Sequence, residues 1–234
     1  MRWARPFLIY PPVVLLHLVL LAVGAAGAPV TKALLMPALL LAVALTAGIT
    51  ARSRLFPADV PRAVRGRILA TVLLLGLGIV ASWAGDVLLG PSFVAGLGSF
   101  ALAHVLYIAV CNGPAAARRI PLWTLGYPAA LVVVLVALWP QFGELQFVVA
   151  GYGVVLALTA MTSARVSGLT ALGGGLFLAS DALLAFRIFQ PEFRVVFPDP
   201  WQDLLIMVLY CAGVGLIALG VLRRLAAQRP ERAV

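Results

Sequence analysis

Two aspartates in matching surroundings are the residues of this sequence best suited to acid–base chemistry. Asp86 follows Gly85 and Asp181 follows Ser180, and each begins a pattern of Asp, any residue, Leu-Leu and a small residue. Both lie well inside long apolar stretches, where an ionised carboxylate costs roughly 2.5–3.5 kcal/mol to insert into a membrane. Two carboxyls at a similar depth suit proton transfer. The alternative to acid–base chemistry is a structural role for the aspartates: a hydrogen bond to a neighbouring helix, or an ion pair with Lys32.

Other polar residues are candidates to support the aspartates. Lys32 opens the second apolar stretch, so its ammonium either snorkels to the surface or reaches toward the aspartates or a phosphate. His104 and Tyr107 are three residues apart and share one helix face. His104 is either part of the site or a structural hydrogen bonder between helices. His17 has no polar residue at helical spacing, and we interpret it as structural. Two tyrosines either line a cavity or pack in the core: Tyr152 and Tyr210.

The composition places these residues in a membrane. Hydrophobic residues make up 63% of the 234 residues and charged residues 11%, and the mean hydropathy is +1.09. A soluble domain of this size has too little polar surface to cover so much apolar surface. The formal net charge of +9 does not indicate nucleic-acid binding, because the arginines are dispersed over many loops instead of forming one patch.

Apolar stretches of about 20 residues recur along the chain, each long enough to cross a hydrocarbon core of roughly 30 Å. Backbone groups inside lipid must bond within their own segment, so these stretches predict helices. We therefore predict an all-α polytopic bundle, residues 1–234 forming one transmembrane domain. The predicted spans lie near residues 7–24, 32–50, 68–89, 93–111, 121–139, 145–164, 168–189 and 203–222.

The basic residues predict the orientation of the bundle. With a cytoplasmic amino terminus, 14 of the 17 basic residues fall on the inside, which follows the positive-inside rule. Both termini are then cytoplasmic, and we expect a multi-pass protein of the plasma (inner) membrane. Residues 1–28 also resemble a cleavable signal peptide, but cleavage would leave seven spans and conflict with the charge distribution. The inside residues are Arg2, Arg5, Arg52, Arg54, Arg62, Arg65, Arg67, Arg118, Arg119, Arg165, Arg223, Arg224, Arg229 and Arg232, and the outside residues are Lys32, Arg187 and Arg194.

The sequence offers no familiar cofactor motif. It has no Walker-type phosphate loop, no His-x-x-x-His pair and no Gly-x-Ser-x-Gly elbow. Gly173–Gly175 lies inside an apolar stretch, where close helix packing explains the glycines better than nucleotide binding. Two histidines on separate spans do not favour a metal centre, and Cys111 and Cys211 form no disulfide framework. We expect neither a metal nor an organic cofactor.

Three stretches together resemble the YhhN family, the lysoplasmalogenases. The first contains Gly85-Asp86, the second the Ala103-His104-x-x-Tyr107 segment, and the third Ser180-Asp181. The chain departs from the family pattern in two places: Lys32-Ala33 replaces a Lys-Pro pair, and Tyr210-Cys211-Ala212-Gly213 lacks an expected glutamine. The stretches are Trp83–Leu89, Phe93–Leu97 with Phe100–Ile108, and Gly174–Ala185.

The resemblance implies hydrolysis of the vinyl ether bond of lysoplasmalogens to a fatty aldehyde and glycerophospho-choline or -ethanolamine. Protonation of the vinyl carbon and capture of the resulting cation by water call for one neutral acid and one carboxylate, as in glycosidases. Two carboxyls close together in a low dielectric cannot both ionise easily, so one is expected to hold its proton. Asp86 and Asp181 would fill these roles, in either order. Lys32, His104, Tyr107 and Ser180 would support them, and the phosphate would lie near Lys32.

Two other classes of function remain open from the sequence. Paired aspartates in a bundle with related halves also suit a proton-coupled transporter or a lipid flippase, and a membrane scaffold would use them only to hold helices together. The expected partners are a lysophospholipid with one apolar chain and the surrounding membrane lipids, with no nucleic acid.

Overall fold

The fold is an all-α bundle, as the sequence predicts. A computed structural model describes residues 2–50, 61–193, 198 and 201–227. Within those ranges it contains eight helices that are long and apolar enough to cross a membrane. Their α-helical parts are α1 (Tyr10–Ala22), α2 (Ala28–Thr50), α3 (Arg62–Leu88), α4 (Phe93–Asn112), α5 (Gly126–Leu138), α6 (Gln146–Ser163), α7 (Gly168–Phe189) and α8 (Trp201–Ala227). Flanking 3-10 segments complete the first span, Arg5–Ala22, and the fifth, Leu122–Gln141.

Each predicted span overlaps one observed helix, and the largest difference is at the start of α3, which begins at Arg62 and not at residue 68. Short 3-10 segments extend several helices, for example Arg2–Ile9 before α1 and Leu122–Leu125 before α5. The cytoplasmic location of the termini stays a prediction. Five of the arginines on which it rests lie outside the described residues: Arg52, Arg54, Arg194, Arg229 and Arg232.

Local sequence signals set the amino-terminal ends of α4 and α7. The Ser92 hydroxyl accepts a hydrogen bond from the Ala95 amide at 3.4 Å and caps α4. The Ser167 hydroxyl accepts one from the Thr170 amide at 3.2 Å and caps α7. Such caps accept hydrogen bonds from backbone N–H groups of the first helical turn, which have no acceptor inside the helix. The short turn between Leu88 and Phe93 makes α3 and α4 antiparallel neighbours.

The last helix forms the centre of the bundle. Of the most apolar part of α8, 61% is buried, compared with 11% for α5. The main core contains buried residues from α1, α2, α3, α4, α6, α7 and α8. Since α5 contributes little to this core, it lies at the periphery, where its apolar side chains face lipid.

The close contact between α7 and α8 depends on two glycines. A Cβ atom added to Gly213 would lie 2.8 Å from the Phe177 amide nitrogen and 3.0 Å from the Gly173 carbonyl oxygen. Both obstacles are backbone atoms, which cannot rotate out of the way. The two helices therefore approach each other as closely as helices with glycine at the interface do in membranes.

Gly213→Ala is expected to destabilise the bundle by forcing α7 and α8 apart. Overpacking typically costs about 1–3 kcal/mol, which corresponds to a fall in melting temperature of roughly 2–10 °C for a chain of this size. Gly151→Ala on α6 is the matched control, since a Cβ atom added to Gly151 would meet no heavy atom within 4 Å. Thermal melts of the two purified variants in detergent compare them, and equal melting temperatures would contradict the glycine contact.

Candidate active site

Asp86 and Asp181 line the same cavity, which we call the polar cavity. It lies between α1, α2, α3, α4, α7 and α8, and holds about 910 Å³ of empty space including its open mouth. Its polar and charged lining residues are His17, Lys32, Asp86, Ser180, Asp181, Arg187, Asp203 and Tyr210.

Asp86 is held by a tyrosine and a lysine. The Tyr210 hydroxyl donates a hydrogen bond to Asp86 Oδ2 at 2.7 Å. The Lys32 ammonium lies 4.0 Å from Oδ1, and the Asp86 side chain is only 7% exposed. Lys32 is positioned by its neighbour, because the Trp83 indole donates to the Ala33 carbonyl at 2.9 Å and fastens α2 to α3. A cation and a hydroxyl donor both favour the ionised form of this carboxyl.

Asp181 has different partners. The Tyr152 hydroxyl donates a hydrogen bond to Asp181 Oδ2 and also lies 3.4 Å from His104 Nε2. In the part of the chain that the structure describes, no cation lies within ion-pair distance of Asp181. The two carboxyls therefore share a cavity and each accepts from a tyrosine hydroxyl, but among the described residues Asp86 lies beside an ammonium and Asp181 does not.

The predicted supporting residues divide between the cavity wall and the layer behind it. Lys32 and Ser180 line the cavity, but the Ser180 hydroxyl donates to the Ile206 carbonyl at 2.9 Å and so connects α7 to α8. His104 is fully buried, its ring centroid lies 4.6 Å from that of Phe177, and Tyr152 connects it to Asp181. The Tyr107 hydroxyl is paired at 3.0 Å with Ser82 Oγ.

Asp181 also lines a second, apolar space, which we call the apolar cleft. Side chains from α4, α5, α6 and α7 form it, and it holds about 840 Å³ of empty space including its mouth. Four residues line both spaces: Leu89, Phe100, Asp181 and Leu184. The polar cavity and the apolar cleft therefore adjoin at these four residues, of which Asp181 is the one with a titratable side chain.

The polar cavity carries a second pair of charged residues besides Lys32 and Asp86. Arg187 and Asp203 form a two-pronged ion pair there, with N–O distances of 2.8 and 2.9 Å. Both side chains are about a quarter exposed, at 27% and 28%. Lys32 and Arg187 thus present two cations to the cavity, and each lies beside a carboxylate, Asp86 or Asp203.

Sequence reasoning left two important residues undecided and gave one a purely structural role. Tyr210 and Tyr152 each donate to one of the aspartates. The sequence signal for these contacts was a tyrosine within an apolar span, because a buried hydroxyl needs a hydrogen-bond acceptor. His17, predicted to be structural, lines the polar cavity. Its Nδ1 lies 3.0 Å from the Thr31 hydroxyl, and its Nε2 has no hydrogen-bond partner among the described residues.

The described residues contain no group of three or more His, Cys, Asp or Glu side chains arranged to hold a metal ion. The side chains that line the polar cavity supply carboxyl, hydroxyl, imidazole, guanidinium and ammonium groups. A protonated carboxyl can deliver a proton at the point where the polar cavity and the apolar cleft meet. A carboxylate in the same cavity can stabilise a cation and accept a proton from water.

Comparison with known proteins points to one family. The YhhN family profile matches residues 27–221, which include both aspartates and Lys32 but not α1. Human lysoplasmalogenase TMEM86B is 30% identical over 167 residues, and the match covers 65% of this chain and 65% of that protein. The chain thus matches slightly less than two thirds of the length of this relative. No solved structure gives a significant match.

Proposed function

Because the chain belongs to the YhhN family, we propose that it is a membrane ether hydrolase acting on lysoplasmalogen-like lysophospholipids. The products would be a fatty aldehyde and a glycerophospho-alcohol. The observation that carries the proposal is the meeting of a two-carboxyl polar cavity with an apolar cleft at Asp181. The name of the human relative, a lysoplasmalogenase, supports the same substrate class.

The two spaces accommodate the two ends of such a lipid. The single alkenyl chain fits the apolar cleft, whose wall includes Leu131, Val134 and Phe189. The glycerophosphate fits the polar cavity, with its anionic oxygens toward Lys32 and Arg187. The vinyl ether group then lies at the junction, within reach of Asp181. Binding of the remote chain and phosphate would hold the reacting bond against the proton donor.

We assign the proton donor to Asp181 and the carboxylate to Asp86. Asp86 lies beside the Lys32 ammonium, and an opposite charge favours ionisation. Asp181 borders the apolar cleft, where a charged group would lose hydration, so its neutral acid is the favoured form. This division gives one acid and one base in one cavity, as a reaction through an oxocarbenium ion requires.

The proposed reaction consumes one water and returns every proton. Asp181 donates its proton to the vinyl carbon that is not bonded to oxygen, and the double-bond electrons form the new C–H bond. The resulting oxocarbenium ion is stabilised by the Asp86 carboxylate. Water attacks the cationic carbon and gives its proton to Asp86, forming a hemiacetal. Collapse of the hemiacetal breaks the bond to the glycerol oxygen, which takes up a proton from Asp86, and the hemiacetal hydroxyl proton restores Asp181.

A bulkier residue in the apolar cleft should shift the substrate preference toward lipids with a shorter alkenyl chain. Ala185 lines the cleft, so Ala185→Leu is expected to reduce kcat/KM for long-chain substrates about tenfold while short-chain substrates lose little. One methylene in such a pocket is worth roughly 1–3 kcal/mol. Ala137→Leu, at an exposed position on α5, is the control. If kcat/KM falls equally for substrates of all alkenyl chain lengths, the alkenyl chain does not bind in the apolar cleft.

Purified protein in detergent tests the proposed function against the transport alternative. With a lysoplasmalogen and no membrane gradient, an ether hydrolase releases aldehyde continuously, whereas a transporter or flippase releases none. In ¹⁸O-labelled water the released glycerophospho-alcohol should keep its original oxygen, because the vinyl carbon–oxygen bond breaks. Absence of aldehyde from every vinyl ether substrate would refute the function, and turnover of another ether or ester lipid would change only the substrate.

A further inference from the structure

One cavity-lining group has no task in this mechanism: the imidazole of His17. It belongs to α1, is 1% exposed and lines the polar cavity. Its Nδ1 is bonded to the Thr31 hydroxyl at 3.0 Å, while its Nε2 is buried without a partner among the described residues. A buried polar atom without a partner carries a free-energy penalty, and a bound ligand that pairs with it would remove that penalty.

The hydrogen bonds of Thr31 determine which ring nitrogen carries the proton. The Thr31 hydroxyl donates its only proton to the backbone, at 3.0 Å to the Ala28 carbonyl or 3.3 Å to the Gly27 carbonyl. Toward His17 the hydroxyl oxygen is therefore an acceptor, so Nδ1 must be the donor. In the neutral ring Nε2 is then a bare acceptor. The cavity wall thus offers a position for a hydrogen-bond donor on the ligand.

The location of this acceptor matches one group of the proposed substrate. His17 lines the same cavity as Lys32 and Asp86, which are the residues expected to bind the phosphate and to stabilise the cation. Between the vinyl ether and the phosphate, the glycerol carries a single hydrogen-bond donor, the free hydroxyl on its middle carbon. Lipids with an acyl chain at that carbon present an ester, which only accepts.

We propose that His17 Nε2 accepts a hydrogen bond from the free sn-2 hydroxyl of the bound lysolipid and so makes the cavity selective for lysolipids. The inference rests on the proposed function and deepens it. A site built to bond a hydroxyl discriminates against an analogue without one, because the buried acceptor is then left unpaired. We expect this discrimination to be about 10- to 100-fold, the usual range for one unpaired buried group.

Paired substrates that differ only at the sn-2 carbon test the proposal. One carries the hydroxyl and the other a hydrogen atom, and kcat/KM is measured for both with the full-length protein in detergent. The kcat/KM of the unmodified protein should be about 10- to 100-fold higher for the hydroxyl substrate. His17→Phe keeps a planar ring but loses the acceptor, so it should act on both substrates with nearly equal kcat/KM. Thr31→Val, which frees the ring to change tautomer, should retain an intermediate preference.

Each outcome separates the inference from the proposed function. Equal kcat/KM for both substrates with the unmodified protein overturns the His17 assignment even if His17→Phe fails to fold, and leaves the hydrolase intact. An equal loss on both substrates in His17→Phe means that the ring only joins α1 to α2. If neither substrate is hydrolysed, the function fails. In that case the dissociation constants of the saturated 1-O-alkyl lysolipid and its sn-2-deoxy form test the His17 contact, since the saturated ether binds without reacting. Tighter binding of the hydroxyl form supports the contact, and equal binding overturns it.

Discussion

Asp181→Asn is expected to reduce the turnover of a lysoplasmalogen by at least about 1,000-fold, the upper part of the range for loss of a general acid. An amide of the same shape can still accept the Tyr152 hydrogen bond, but it has no acidic proton for the vinyl carbon. The loss should appear in kcat, with little change in the affinity for a saturated ether analogue. This combination distinguishes loss of the proton donor from loss of binding.

Tyr152→Phe is the control for Asp181→Asn, with a smaller expected loss of turnover. Tyr152→Phe keeps the carboxyl and removes only its hydrogen-bond donor, so we expect a smaller loss, on the order of tenfold. Aldehyde release measures turnover, and a melting temperature close to that of the unmodified protein shows that Asp181→Asn still folds. If Asp181→Asn retains most of its activity, Asp181 is not the proton donor.

Asp86→Asn is expected to lower kcat by about 100- to 1,000-fold, similar to the removal of one preorganised electrostatic group. The amide cannot stabilise the oxocarbenium ion by charge or accept a proton from water. The substitution also leaves the Lys32 ammonium, which lies 4.0 Å from the carboxylate, without its partner and facing the developing cation. The remaining positive charge should raise the barrier further.

The double variant Asp86→Asn with Lys32→Met isolates this charge effect. Removing the ammonium as well should raise kcat several-fold above that of Asp86→Asn alone, while KM rises because the phosphate loses a cation. Two interacting residues show such non-additivity in a double-mutant cycle. A kcat for the double variant below that of Asp86→Asn would mean that Lys32 assists the reaction independently of Asp86. Full activity of Asp86→Asn would remove the carboxylate from the mechanism.

The number of spans and the two unusual aspartates were readable from the sequence by itself. The length and hydropathy of a span are local properties, because a helix in lipid satisfies its backbone within its own residues. The cost of burying a carboxylate is also local, so Asp86 and Asp181 stood out without any knowledge of their neighbours. The eight helices confirm the spans, while the roles of the aspartates stay proposals.

Only the tertiary structure decided which groups meet those aspartates. Tyr210 lies 124 residues from Asp86 in the chain and Tyr152 lies 29 residues from Asp181, so no helical spacing connects either pair. His104 and Tyr107 share a helix face, yet one approaches Tyr152 and the other Ser82. The junction of the polar cavity with the apolar cleft arises from the packing of helices α1 to α8. Hydropathy does not encode this packing, because the lipid-facing and helix-facing sides of a span are both apolar.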